Sequence, residues 1–178
     1  MFLAEFFGLF SLSALVTWGF LMAFFFNLFV YSLDVKRRTT LLLSSLVMVV
    51  SYSVTDYLFT WISYYNTTYF DWAIHDLITI ICLIFVYKLS KTTTPSLLYL
   101  LIGLSINLML ALLMHLDIFI NKNIEPWFLW DIYTFGVTFI DLVMIVALIV
   151  DKDFLGLHKL KNKIVSLFLR PKIARDCN

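Results

Sequence analysis

Charge is scarce in this chain, and so are the residues that interrupt a helix. Of 178 residues only 14% are Asp, Glu, Lys or Arg, and there are five glycines, three prolines and two cysteines. Five scattered glycines cannot build a phosphate-cradling loop. No G-x-S-x-G, H-E-x-x-H or Cys–His arrangement is present. An intramembrane aspartyl protease would need a Gly-x-Gly-Asp setting for its second carboxylate, which is missing too. These absences argue against an enzyme and against a bound cofactor. Cys82 lies inside an apolar stretch and Cys177 beside the C-terminus, so neither a disulfide nor a cysteine metal site is expected. There is no basic domain and no interleaving of basic with aromatic residues, which argues against direct contact with nucleic acid.

What is abundant is apolar surface. The hydrophobic fraction is 62%, aromatics reach 18% with Phe dominant, and the mean hydropathy is +0.93. Soluble domains do not have this composition, whereas lipid-facing helices do. Five apolar stretches recur, at about 2–33, 40–65, 70–89, 95–119 and 127–150, each long enough to cross a bilayer as a helix. The first exceeds the ~20 residues a span requires, so it is tilted, kinked near Gly19 or partly interfacial. Residues 1–153 thus read as an all-α, polytopic membrane helix bundle, and residues 154–178 as a basic amphipathic tail.

Charge fixes the orientation. Of thirteen Lys and Arg, all but Lys122 fall in the loop after the first span, the loop after the third, or the tail. Glu5, Asp56, Asp71, Asp76, Asp117, Glu125 and Asp131 gather at the opposite ends of the spans. Positive charge stays in the cytoplasm, so the N-terminus is expected outside and the C-terminus inside, with a bacterial inner membrane as the expected location. In the tail, Leu157, Leu160, Ile164 and Phe168 share one helical face. Lys159, Lys161 and Lys163 crowd the others, and Arg170, Lys172 and Arg175 follow. Such a segment fixes topology by lying on anionic lipid, or serves as a docking handle for a cytoplasmic protein.

The polar residues inside the spans are the candidates for function. On the last span Asp131, Thr134, Thr138 and Asp141 recur at steps of three, four and three, which places them on one helical face. Asp56, His75, Asp76 and His115 fall at similar depth on the other spans, toward the outer side. A carboxylate in a membrane helix costs a few kcal/mol unless it faces protein or water. Three roles fit. The groups hydrogen-bond between helices and fix the bundle. They line a proton or cation path, although the stripe stops at Asp141 and residues 142–150 carry no ionisable group. Or the histidines and carboxylates hold a metal, which the adjacency of His75 and Asp76 disfavours because neighbours on a helix point about 100° apart. A weak repeat pairs Trp72, Asp76 and Thr79 with Trp127, Asp131 and Thr134 at a constant offset, as if one hairpin had been copied.

The short-looped spans, the absence of a catalytic motif and the basic tail over residues 152–175 resemble the small membrane subunits of bacterial antiphage defence operons, the KwaA-like subunit of the Kiwa system among them. That resemblance implies a homo-oligomer that works with a separate soluble effector in antiviral defence. It carries no residue role.

Overall fold

The structure, a computed structural model, describes residues 9–33, 39–62, 68–90, 92, 94–123, 125, 127–153, 155–157 and 163, and of the helical residues 9–11, 13 and 56–62 the backbone alone. It is all-helical: α1 Leu9–Ser32, α2 Thr39–Ile62, α3 Tyr69–Ser90, α4 Pro95–His115 and α5 Phe128–Val150. A π-helical turn, Leu116–Ile120, extends α4. Four of the five helices are long and apolar enough to cross a membrane, and α2 is apolar over its described stretch Thr39–Thr55.

The helix ends follow local chemistry. Thr68 precedes α3, and its backbone N–H and hydroxyl both donate to Asp71 Oδ2, at 2.8 and 3.0 Å, so the Asp71 carboxylate caps the first turn. Pro95 opens α4, where its missing N–H has no helical partner to lose. α5 ends at Asp151, whose left-handed backbone (φ 46°) stops the helix. Asx side chains tolerate that conformation better than most.

Each helix packs on its sequence neighbours, and α5 packs on α1, so the five helices close into a ring with alternating direction. A glycine lies at this closure. A Cβ on Gly19 would sit 2.6 Å from Ile145 Cδ1, so the absence of a side chain lets α1 approach α5. Gly19 therefore marks close packing within one continuous helix, and α1 runs unbroken through it. Across the same seam the buried Asn27 donates from Nδ2 to the Leu148 carbonyl at 3.2 Å.

Polarity runs inside out. Trp18, Phe25 and Phe29 on α1, Ile81 and Phe85 on α3, and Phe128, Phe135 and Phe139 on α5 are exposed. Thr40, Ser44, Ser45, Ser96, Asn107 and Asp141 are buried. An apolar exterior of this extent has no place in water, and the chain is a multi-pass membrane protein.

The Gly19–Ile145 contact gives a first expectation. Gly19→Ala should destabilise the bundle by no more than about 1 kcal/mol, the cost of turning the Ile145 end aside. Ile145→Val in the same chain removes Cδ1 and should recover most of that loss in thermal unfolding of the detergent-solubilised protein.

Candidate functional site: an acidic cavity at the centre of the ring

α5 carries the stripe that seeds the site. Thr134, Thr138 and Asp141 all face the ring interior, and the two threonine hydroxyls donate back to the carbonyls of Trp130 and Thr134 at 2.9 Å. Those bonds satisfy the hydroxyls within α5 and leave Asp141 as its reaching group. Asp141 is 4% exposed. Its Oδ1 accepts from the Tyr52 hydroxyl of α2 at 2.6 Å and from Asn107 Nδ2 of α4 at 2.8 Å. One carboxylate oxygen therefore joins three helices at the middle of the bundle.

Around this junction lies a cavity of about 410 Å³ lined by all five helices. It runs from Tyr52, Asn107 and Asp141 toward the end where α2 joins α3 and α4 joins α5, past Asp76 and His75 to Tyr69, Trp72 and Tyr133. Tyr69 and Tyr133 meet edge to face there, with ring centroids 5.2 Å apart. Asp76 is close enough to Asp141 to interact with it electrostatically. Among the described residues no hydrogen bond reaches the Asp76 carboxyl. Thr55 Oγ1 lies 3.0 Å from His75 Nε2, and the Ser51 and Thr79 hydroxyls pair at 2.6 Å, fastening α2 to α3 beside the cavity.

Beyond Asp141, toward the opposite end, the ring is filled. Phe20, Met48, Leu83, Leu100, Leu104, Met144 and Leu148 are fully buried there, one or more from every helix. The cavity is consequently closed by an apolar plug on the side where α5 ends. Past the plug a polar clamp reappears. Ser96 donates to Asp151 at 3.1 Å and the Tyr99 hydroxyl donates to Asp153 at 2.9 Å. The same hydroxyl accepts from the Leu155 N–H at 2.7 Å, so α4 grips the chain just past α5.

The residues singled out in the sequence separate into those that meet and those that do not. His75, Asp76, Thr134, Thr138 and Asp141 share the cavity. His115 stands outside it, stacked on Phe119 at 4.9 Å and near Phe70 at 5.3 Å. Asp131 is exposed. The proposed hairpin repeat therefore pairs unlike environments, because Asp76 lines the cavity where Asp131 faces outward. The acid that shares the cavity with Asp76 is Asp141, which sits deeper along its helix and is more fully buried. Asp56 belongs to α2, but its side chain lies outside the described residues, as do Lys159, Lys161, Arg170, Lys172 and Arg175; Lys163 is exposed. Sequence reading passed over Tyr52 and Asn107 as partners, and their signal was a phenol and an amide placed mid-span. It also missed Tyr69, Trp72 and Tyr133, because aromatics near a span end read equally well as interfacial anchors.

No family model matches the chain, and no curated protein or solved structure matches it either. The fold and the cavity define a class, a multi-pass helical membrane protein with an acidic central chamber.

The junction at Asp141 can be measured. Tyr52→Phe and Asp141→Asn should each destabilise the bundle, and the double variant should lose less than the sum. Interhelical bonds of this kind give couplings of roughly 0.6–1.7 kcal/mol, readable in a double-mutant cycle of unfolding.

Proposed function

We propose that the chain is a non-enzymatic membrane sensor. Its central chamber receives a ligand, and its basic tail recruits a cytoplasmic protein. The observation that carries this reading is the one-sided chamber, open ring on one half and apolar plug on the other. A binding site needs a chamber with a floor, whereas a conduction path needs an open polar route across the membrane midplane, which the plug interrupts. The clamp made by Tyr99 supports a relay. α4 and α5 hold the chamber through Asn107 and Asp141, and the same two helices hold the start of the tail through Tyr99 and Asp153. In this reading the N-terminus lies outside and the C-terminus in the cytoplasm of a bacterial inner membrane, and antiviral defence is the setting. Self-association belongs to the proposal as well. Asp141 finds its cover within one chain, and exposed Asp131 is the acid that a neighbouring subunit would shield.

A second reading, a small oligomeric proton- or cation-conducting channel or transporter, is favoured by the pair of acids in the chamber. It requires the plug to open.

Two outcomes separate the readings. The chain is purified in mild detergent from its native host, and the eluate is weighed by native mass spectrometry. The sensor reading expects a stoichiometric soluble companion that disappears when residues 154–178 are deleted, while the bundle still inserts. A clean homo-oligomer whose liposomes pass cations, and lose that flux in Asp76→Asn with Asp141→Asn, replaces it with the channel. On the relay itself, Tyr99→Phe removes the hydroxyl that bonds Asp153 and Leu155 and leaves the Ser96–Asp151 bond in place. Exchange of the Leu155 amide should quicken by about tenfold, the kinetic equivalent of ~1.4 kcal/mol of lost protection, seen by hydrogen–deuterium exchange.

A further inference from the structure

We infer that the chamber binds a small organic ammonium ion, held by Asp76 and Asp141 and enclosed by the rings of Tyr69, Trp72 and Tyr133. The inference rests on the sensor reading and names the chemistry of its ligand.

Three observations converge. The first is charge. Two carboxyl groups face one chamber, and among the described residues no Lys or Arg lines it. A cationic guest supplies the missing counter-charge inside a low-dielectric surround, where opposite charges attract most strongly. The second is an unanswered polar atom. Asn107 is 3% exposed and belongs to the chamber wall, yet its Oδ1, buried within that wall, has no hydrogen-bond partner among the described residues, while its Nδ2 is committed to Asp141. A buried carbonyl oxygen left open favours a guest that brings a hydroxyl donor to this side of the chamber. The third is the aromatic wall. Tyr52, Tyr69, Trp72 and Tyr133 all line the chamber. Ring faces attract cations, and they attract alkylated ammonium groups especially well because those are weakly hydrated.

Size and ligand count narrow the class. A chamber of about 410 Å³ falls within the range of small-molecule sites and is far larger than a bare ion requires. Among the described residues no three His, Cys, Asp or Glu side chains converge as a metal would demand. The guest is therefore a small organic cation rather than a bare ion.

The test uses the full-length protein in lipid nanodiscs and choline as the probe. The control is choline's neutral carbon isostere, in which a tert-butyl group replaces trimethylammonium. Binding is followed by calorimetry and by Trp fluorescence, with Trp72→Leu assigning the optical change. Choline is expected to bind at least about tenfold more tightly than the isostere. Asp76→Asn should erase that preference while leaving the isostere unchanged, because among the described residues no hydrogen bond depends on this carboxyl. Trp72→Leu should weaken choline by roughly three- to tenfold. Unchanged melting of both variants certifies the fold. Equal binding of choline and the isostere overturns the inference, as does an undiminished preference in Asp76→Asn, or binding of sodium with no effect of choline. A failure here that leaves the tail-dependent companion in place rejects the ligand class and keeps the sensor. Loss of the companion with choline binding intact does the reverse.

Discussion

A carboxylate in the middle of a membrane must be answered by protein, and this fold is arranged around that demand. Placing an Asp at the centre of a span costs on the order of 3 kcal/mol. One interhelical hydrogen bond returns about 0.6–2 kcal/mol. Asp141 receives two, from Tyr52 and Asn107, on a single oxygen. The donors come from α2 and α4, which sit on either side of the chamber, so the requirement of one side chain draws the ring together. Closure of α1 onto α5 then shields the junction from lipid, with Gly19 admitting Ile145 and Asn27 bonding the Leu148 carbonyl.

The two halves of the ring use opposite solutions to the same packing problem. Toward the loops that join α2 to α3 and α4 to α5, bulky aromatics splay around a space. Toward the other end, Leu, Met and Phe interdigitate and leave none. The boundary falls at Asp141, after which α5 turns to Met144, Ile145 and Leu148. A single helix thus changes from chamber wall to core within one turn. The clamp on Asp151 and Asp153 lies beyond the core, where polar groups can again meet water or one another.

Much of this was legible in the residues and some was not. Hydropathy alone marks five helices, because a lipid-facing surface must be apolar whatever it surrounds, and the described helices lie close to the expected spans. The three-four-three stripe on α5 joins Asp131, Thr134, Thr138 and Asp141, and the last three line the chamber. Periodicity says which residues share a face, but it does not say how far along the helix that face stays covered. Asp131 keeps the register and is nonetheless exposed, since it sits in the first turn of α5. Likewise a repeat of Trp, Asp and Thr says nothing about which neighbour each copy meets. Glycine was the other ambiguity. In sequence Gly19 reads as a flexible point, whereas its role is steric, and only the opposing Ile145 reveals it. The tail carries the docking expectation for Lys159, Lys161 and their neighbours, and that expectation stands on charge and spacing alone.

The seam between α1 and α5 also has a consequence for how the molecule is made. Of the five described helices, the two that close the ring are the earliest and the latest in sequence, with Asn27 bonding a carbonyl that arrives only at Leu148. Until then the nascent protein is an open four-helix arc whose donors, Tyr52 and Asn107, face no acceptor from α5. The late helix brings the acid and the lid of the ring together. A chain stopped short of α5 would therefore leave the donors of Asn27, Tyr52 and Asn107 without the acceptors that α5 supplies.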